Sequence, residues 1–268
     1  VDAKLHSINE LEKLKSIFKN NNSIVELLEK NPIDLHWDNQ PNYPKSISFV
    51  HEEKYAGESA TAKINKIQNL LKQNSIDFYL LNSLDSIAWI VNLRGNDIKH
   101  IPLIFAKLII PKNGKIEIFI DSKKVESNLS YLNEFARINP FNYVDEFIKN
   151  INKNTVIGFD QETTSYHYKK ICKNNNLKTI DFENPCLYLK AQKNLIELDG
   201  ARKANLRDGV SVTKFLYWLK KKMIISETNE IKAADYLYDL RKQNYLFHSL
   251  SFDTISAIGS NAALPHYR

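Results

Sequence analysis

A histidine near the end of the chain is the residue whose type and context best suit it to chemistry. His266 follows the loop residues Gly259, Ser260 and Asn261, which come after a β-prone stretch at 251–259. Loops of this composition often present reactive side chains, and histidine exchanges protons near neutral pH. Taken alone, such a histidine is more often ordinary than catalytic, so its role depends on the wider pattern.

Self-contained catalytic motifs are absent from the sequence. It has no phosphate-binding glycine loop, no H-E-x-x-H, no G-x-S-x-G and no histidine and carboxylate cluster at metal-ligand spacing. We interpret Glu230 and Asp253 as solvated or helix-capping and assign a metal to no carboxylate of the chain. Surface, loop or structural roles are favoured for the other histidines, namely His6, His36, His51, His100, His167 and His248.

Composition indicates a globular protein with a buried core. The chain has 268 residues, of which 43% are hydrophobic and 11% aromatic. No apolar run is long enough for a membrane span, and the charged, amphipathic N-terminus does not resemble a signal peptide. We therefore expect a soluble, cytoplasmic protein without a membrane partner.

Charge and cysteine content argue against a nucleic-acid-binding protein and against a zinc or redox site. The net charge of +6 comes from lysines spread along the chain, so nucleic-acid binding is disfavoured. Cys172 and Cys186 lack the paired spacing of a zinc or redox motif, and we predict two reduced structural thiols.

The N-terminal part of the chain is predicted to contain short helices, an irregular linker, and then a helix followed by a strand. Residues 7–30 predict one or two short helices, and the proline-punctuated stretch 31–46 predicts a linker without regular structure. Apolar residues at helical spacing then predict a helix from residue 60, followed by a strand at 76–82. The residues that carry this helical spacing are Ala60, Ile64, Ile67 and Leu71.

A short helix and a hairpin come next. Ser83 can cap a helix that Gly95 would terminate in the left-handed conformation. Asn113 and Gly114 lie between two apolar runs and predict a tight hairpin, whose first strand, 103–110, should be covered on both faces. Further segments alternate as helix 131–136, helix 143–151, strand 155–160, helix 165–175 and strand 177–182, which is typical of a compact α/β domain.

The last part of the chain predicts two helices and a strand. Residues 193–223 favour one long helix, in which Gly200 and Gly209 would permit close packing. Ser226 would cap a second helix at 231–243, with Glu227 and Glu230 in its first turn, before a strand at 251–259. Such a segment cannot enclose a core unaided, so we expect the opening of a further domain. The apolar face of the long helix comprises Val212, Phe215, Leu216, Leu219 and Met223.

Two groups of polar residues have both structural and functional interpretations. Trp89, Asn92 and Arg94 lie off the apolar stripe of their short helix, so they could face a domain or dimer interface or an active site. We favour the alternative in which Trp89 packs and Arg94 pairs locally. Arg202, Arg207 and Asp208 are interpreted as ion-paired residues of the long helix.

Four segments in order resemble aminopeptidase P, the Xaa-Pro aminopeptidase of the long, three-domain kind. They are LDSIAWIVNLRGNDIKHIP, KNLIELDGARKANLRDGVSVTKFLYWL, ETNEIKAADYLYDLR and LSFDTISAIGSNAALPHY. The resemblance implies an α/β fold, with a creatinase N-terminal-like domain of mixed sheet and flanking helices, followed by the truncated start of an α+β pita-bread catalytic domain. It places the end of a first domain at 1–50, a second domain at 51–190 and the catalytic domain from 191 to 268.

The resemblance also implies a reaction. This family hydrolyses the bond between an N-terminal residue and a following proline, using two divalent metals, commonly manganese. His266 matches the substrate-side histidine, which would bind the substrate carbonyl or assist the leaving nitrogen. The family's metal ligands would lie beyond Arg268, so we expect this chain to bind no metal and to be inactive alone. Its partners would be peptides with a penultimate proline and a second copy of the chain in a homodimer.

Two alternative functions remain open. The first is a non-catalytic binding or dimerisation module that keeps the creatinase-like scaffold without its metals. The second is a prolidase-type enzyme that cleaves dipeptides instead of longer peptides.

Overall fold

The computed structural model describes residues 1–224 and 228–267, which form two compact units. Unit 1 comprises residues 1–97 and 102–192, and unit 2 comprises residues 98–101 and 193–268 as far as they are described. The predicted division at residues 50 and 190 stays a prediction. No described helix combines the length and the apolar character that crossing a membrane requires.

The N-terminal region of unit 1 contains a capped helix and an unpredicted short one. Helix α1 spans Ile8–Asn20, and the Ser7 hydroxyl accepts a hydrogen bond from the Glu10 amide at its start. Helix α2, Pro32–His36, lies in the stretch predicted to be irregular, so that prediction was wrong for these residues. Asn31 caps α2, and a proline in the first turn costs no hydrogen bond there.

A six-stranded mixed sheet forms the centre of unit 1. The strands of unit 1 are β1 Phe49–Val50, β2 Phe78–Leu81, β3 Leu93–Arg94, β4 Lys107–Pro111, β5 Ile116–Phe119, β6 Ala136–Asn139, β7 Val156–Phe159 and β8 Lys178–Asp181. The order in the main sheet is β6-β5-β4-β2-β7-β8, with β2 antiparallel to β4 and parallel to β7. A separate antiparallel pair joins β1 to β3. The remaining helices of unit 1 are α3 Glu53–Ala56, α4 Ala60–Gln73, α5 Leu84–Ile90, α6 Leu129–Asn133, α7 Val144–Lys149, α8 Tyr166–Asn174 and α9 Cys186–Ala191.

Helices cover both faces of this sheet, as the apolar run of β4 predicts. Leu108 and Ile110 belong to one apolar cluster with α4 and α5, whereas Ile109 belongs to a second cluster with α7 and α8. Successive side chains of a strand point to opposite faces, so β4 contributes to two cores. The hairpin prediction is confirmed, because β4 and β5 pair antiparallel and Gly114 has a φ of +83°.

Gly95 does not end a helix, which corrects the sequence prediction. Helix α5 ends at Ile90, and Asn92, with a φ of +49°, is the residue in the left-handed region. A Cβ at Gly95 would lie 3.2 Å from the Ile104 Cβ and 3.3 Å from the Ser46 hydroxyl. The glycine therefore permits close approach of two chain segments.

Three short elements of unit 1 differ from the sequence prediction. The segment 131–136 was predicted to be helical throughout, but α6 ends at Asn133 and edge strand β6 begins at Ala136. Helix α9 was not predicted. Strand β4 begins at Lys107, four residues after the predicted start at 103, and residues 103–106 have no regular structure.

Unit 2 is built on two helices. Helix α10 spans Leu195–Ile224, as predicted, and helix α11 spans Glu230–Lys242. Asn229 caps α11 by accepting from the Lys232 amide, whereas the proposed cap Ser226 and the neighbouring Glu227 lie outside the described residues.

The packing predicted for α10 was wrong at its glycines. Apart from the helix's own backbone, no atom lies within 4 Å of a Cβ built at Gly200 or Gly209, so neither glycine marks a close approach within the described part of the chain. Leu216, on the predicted apolar face, is 50% exposed. The Met223 side chain lies outside the described residues.

The strand predicted at 251–259 is not formed. Residues 251–258 have no regular structure, and a 3₁₀ turn spans Gly259–Ala263. A strand requires a neighbour for its backbone groups, and the described residues of unit 2 provide no pairing strand.

A buried ion pair joins three separate segments of unit 1. The Asp97 carboxylate accepts from the Lys124 ammonium at 2.6 Å, from the Phe105 amide at 2.7 Å and from the Ser46 hydroxyl at 2.7 Å. The exposed fraction is 0% for the Asp97 side chain and 4% for that of Lys124. Burial by itself raises the pKa of Asp97, but these hydrogen bonds hold that pKa below its ordinary value of 3.8.

Replacing Asp97 should destabilise unit 1 strongly. Asp97→Ala leaves a buried ammonium without its carboxylate, so we expect the free energy of unfolding to fall by about 3–5 kcal/mol. Urea unfolding followed by circular dichroism measures this loss. The exposed Asp38 provides a control, because Asp38→Ala should change stability by less than about 0.5 kcal/mol. Equal effects of the two substitutions would contradict the role of the ion pair.

Acid should weaken unit 1 through its paired carboxyls. A hydrogen bond from Lys112 lowers the pKa of Asp77, and that of Asp97 is also low. Both carboxyls bind protons less readily when folded, so their contribution is present above the ordinary pKa of 3.8 and is lost as the pH falls through the lower folded values. We expect the urea midpoint to fall from about pH 4 downward, and the stability deficit of Asp77→Asn relative to wild type to shrink there. An unchanged deficit in acid would contradict this prediction.

Candidate functional site

His266 lies in an exposed turn of unit 2. It follows the 3₁₀ turn Gly259–Ala263, and its backbone has a φ of +55°, in the left-handed region. The amide of the next residue, Tyr267, donates to the Leu264 carbonyl at 3.3 Å. The structure therefore presents the predicted histidine to solvent in a folded turn, where its imidazole is accessible to a ligand.

Glu230 binds the loop that carries His266. One carboxylate oxygen accepts from the Ile258 amide at 2.7 Å, and the other accepts from the Tyr267 hydroxyl at 3.0 Å. The Asn261 side-chain amide donates to the same carboxylate at 3.2 Å and to the Tyr267 hydroxyl at 3.0 Å. Glu230 lies in the first turn of helix α11, as predicted, but its interpretation as solvated or capping is incomplete, because its carboxylate also holds a loop of unit 2.

Asp253 is likewise paired and not simply solvated. Its carboxylate accepts from the Lys99 ammonium at 2.6 Å and lies 2.9 Å from the His100 Nε2. The His100 Nδ1 lies 3.1 Å from the Leu250 carbonyl, so this histidine joins segment 98–101 to segment 250–253 within unit 2. The structural role predicted for His100 agrees with these contacts, and its backbone lies in the left-handed region at a φ of +66°. The hydrogen bond from Lys99, followed by that from His100, lowers the pKa of Asp253 to about 2.

A cavity of about 440 Å³ lies between α10, α11 and residues 246–255. Its polar lining includes Arg207, Ser211 and His248, and an ion pair in which Arg241 donates to both oxygens of Asp208 at 2.7 and 3.1 Å. The ion pairing predicted for Asp208 is confirmed, with Arg241 as its partner.

A second cavity, of about 590 Å³, lies within unit 1. Three aromatic rings line it: Tyr43 lies 6.3 Å from Phe105 and 5.8 Å from Phe141, measured between ring centroids. Pro44 and Pro140 complete a largely apolar wall. A cavity with such a wall favours the binding of an apolar group, which it would remove from water.

Trp89 and Asn92 are core residues and do not face an open site. Their exposed fractions are 7% and 2%, and both contact the buried Lys63. The Lys63 ammonium donates to the Trp89 carbonyl at 3.0 Å and to the Asn92 side-chain oxygen at 2.7 Å, and it lies 4.6 Å from the centre of the Trp89 ring. Arg94 donates to the Ala88 and Leu93 carbonyls, as its local interpretation predicted.

Sequence reasoning missed Lys63 because it lies in α4 among solvent-facing lysines. Its position, four residues before Ile67 and on the apolar stripe of that helix, is the only signal that distinguishes it. Likewise, Glu230 and Tyr267 have ordinary sequence contexts, and only the folded loop brings them together.

The two cysteines have the structural character that the sequence predicts. Cys172 and Cys186 are free and buried, and burial raises the pKa of each thiol to about 12. Thiols with so high a pKa are protonated and unreactive at neutral pH.

Within residues 1–224 and 228–267, no group of three or more histidine, cysteine, aspartate or glutamate side chains lies where it could hold a metal ion. The donors described here therefore do not fit a two-metal centre.

Residues 39–197, more than half of the chain, match the protein family described as "Creatinase/Prolidase N-terminal domain". The chain belongs to this family. The match includes most of unit 1 and the first residues of unit 2. Family membership confirms the creatinase N-terminal-like α/β domain predicted from the sequence.

Two curated relatives are longer than this chain. The chain is 34% identical over 235 residues to Xaa-Pro aminopeptidase 1 of Dictyostelium discoideum, an alignment that covers 85% of the chain and 37% of the relative. It is 32% identical to a probable Xaa-Pro aminopeptidase P of Coccidioides posadasii, with 100% of the chain and 43% of the relative covered. The chain thus spans less than half the length of these relatives.

Two solved structures resemble the fold to different extents. An X-prolyl aminopeptidase from Caenorhabditis elegans, described as a cytosolic enzyme with a di-nuclear active site, matches 100% of this chain and 44% of its own, with 28% identity and a TM-score of 0.90. An Xaa-Pro dipeptidase from Bacillus anthracis matches 69% of this chain and 50% of its own, with 19% identity and a TM-score of 0.52. The second likeness shows the fold alone.

Lys99 should control the ionisation of Asp253. Because the hydrogen bond from Lys99 is the main cause that lowers the Asp253 pKa to about 2, Lys99→Met should raise that pKa toward the ordinary value of 3.8. Carboxyl-carbon NMR of the assigned Asp253 during an acid titration measures the shift. Lys45→Met removes an exposed lysine of unit 1 and should leave the titration unchanged. The same titration curve for Lys99→Met and wild type would refute the pairing.

Proposed function

We propose that this chain is the N-terminal and middle portion of a metal-dependent aminopeptidase that releases the N-terminal residue from peptides with proline in second position. The observation that carries the proposal is the match over the whole chain to the X-prolyl aminopeptidase of Caenorhabditis elegans, at a TM-score of 0.90 and 28% identity. This match includes the part of unit 2 that presents His266, and it agrees with the names of the curated relatives.

In the proposed reaction, His266 acts on the substrate side. The bond before a proline is a tertiary amide without an N–H, so a site that recognises it must bind the carbonyl and the free amino terminus. A protonated imidazole can donate to that carbonyl or to the departing proline nitrogen. The exposed turn at His266 supports this role, because the side chain is open to a ligand and its backbone is held in a defined conformation.

The proposal assigns the metals to residues outside this chain. The described side chains contain no suitable donor set, and we assign no metal ligand to any of them. Two divalent ions, of which manganese is our proposed identity, would activate water when bound by residues that follow in the complete protein. The 268-residue chain alone should therefore hydrolyse no substrate.

We propose that the complete protein is a cytoplasmic homodimer. A cytoplasmic location is supported by the description of the Caenorhabditis elegans relative as a cytosolic enzyme. We also propose the domain division at residues 50 and 190, with the catalytic domain starting at 191. Nucleic acids and membranes are not proposed as partners.

His266 should be required for turnover in the complete protein. With manganese and a peptide bearing a penultimate proline, His266→Ala should lower kcat/KM by about a hundredfold or more, because it removes a proton donor at the reacting bond. Steady-state kinetics of the purified protein measure this loss. The matched control is His36→Ala in the exposed helix α2, which should retain wild-type kinetics.

Substrate choice separates the proposed reaction from its alternatives. We expect hydrolysis of an Xaa-Pro peptide longer than a dipeptide, and far slower hydrolysis when alanine replaces the proline. Cleavage of Xaa-Pro dipeptides alone would indicate a prolidase-type enzyme. No hydrolysis by the complete, metal-loaded protein would indicate a non-catalytic module and overturn the proposal.

A further inference from the structure

A single carboxylate ties both ends of the His266 loop to helix α11. Glu230 accepts from the Ile258 amide, just before the 3₁₀ turn, and from the Tyr267 hydroxyl, just after His266. Asn261 donates from the middle of the loop to both oxygens of the same carboxylate, at 3.2 and 3.4 Å. Three donors that are spread over residues 258–267 therefore converge on one side chain.

Other constraints on this loop are local. The Leu264 amide donates to the Asn261 carbonyl at 3.1 Å, and the Tyr267 amide donates to the Leu264 carbonyl at 3.3 Å. Residues 251–267 are exposed or half-buried and belong to no strand. Packing and sheet pairing therefore contribute little, and hydrogen bonds must hold the loop against its conformational entropy.

Helix α11 gives this carboxylate a fixed position. Glu230 is the first residue of the helix, and Asn229 caps it by accepting from the Lys232 amide at 2.9 Å. A carboxylate in the first turn also interacts favourably with the helix dipole. The Glu230 carboxylate thus belongs to a regular helix, whereas the backbone hydrogen bonds within loop 258–267 form local turns.

The hydrogen bonds at this carboxylate favour an ionised Glu230 and a protonated Tyr267. The hydrogen bond from Ile258, followed by that from Asn261, lowers the pKa of Glu230, and the hydrogen bond to Glu230 raises the pKa of Tyr267. Near neutral pH the carboxylate is therefore charged, and the phenol retains the proton that it donates.

We infer that Glu230 is a positioning residue for His266: its carboxylate sets the conformation of loop 258–267 and thereby the place of the imidazole. The structural part of this inference stands on the hydrogen bonds alone. Its kinetic consequence rests on the proposed function. A positioning residue contacts no substrate in this scheme, so its removal should affect turnover through the placement of His266.

The structural part can be tested in the 268-residue chain without activity. In Glu230→Ala, hydrogen exchange of the Ile258 amide should accelerate on the order of tenfold or more, because its charged acceptor is lost. The backbone and ring NMR signals of His266 should shift or broaden. Glu230→Gln keeps an acceptor for the Ile258 amide but loses one for the Tyr267 hydroxyl, so its effect should be intermediate.

The control is Asp235→Ala, which removes an exposed carboxylate from the same helix. This variant should leave the Ile258 exchange rate and the His266 signals unchanged. If Glu230→Ala behaves like Asp235→Ala in both measurements while circular dichroism shows that both chains are folded, the positioning role is overturned.

Kinetics of the complete protein test the consequence. Glu230→Ala should lower kcat on the order of tenfold with a smaller change in KM, and Glu230→Gln should restore part of the loss. A folded Glu230→Ala protein with wild-type kcat would overturn the kinetic part of the inference. The failure of the proposed function is distinguishable, because wild-type protein would then be inactive on Xaa-Pro peptides while the NMR result on the loop still stands.

Discussion

Three segments of unit 1 that lie outside its main sheet meet at the buried carboxylate of Asp97. It joins the chain before β1, through Ser46, to the segment before β4, through Phe105, and to the 3₁₀ helix that contains Lys124. These segments lie outside the six-stranded ladder, so the hydrogen bonds of the sheet do not hold them. A charge with no exposed surface is tolerated only when it is fully paired, and this requirement makes the arrangement specific.

Unit 2 uses carboxylates differently. Among its described residues it has no sheet and few buried apolar side chains, so polar contacts hold its loops to its helices. Glu230 binds the loop at 258–267, and Asp253 binds the segment at 98–101. Because Asp253 is exposed and Glu230 is only half-buried, their hydrogen bonds are weaker constraints than the buried contact at Asp97. A candidate catalytic histidine on such a loop depends on a few specific side chains for its position.

Sequence periodicity predicted the elements whose residues face a core. Helix α4 and the existence of strand β4, though not its start, were correctly predicted because apolar side chains recur at the helical spacing in one and run unbroken in the other. Strand β6 was missed, since its four residues at the sheet edge carry no alternating pattern. The stretch 251–259 has strand composition but no pairing partner among the described residues, and composition cannot supply one.

The sequence by itself determined the mixed α/β character of unit 1 and the long helix α10 through apolar periodicity, and the family through its resemblance to aminopeptidase P. The role of His266 stays a prediction that rests on the same resemblance. Only the tertiary structure decided that Trp89 and Asn92 surround a buried lysine, that Gly95 allows close approach, and that Glu230 gathers the loop around His266. The reason is physical: those roles arise from groups distant in sequence that meet in space, and the partner of a polar side chain is decided by the fold.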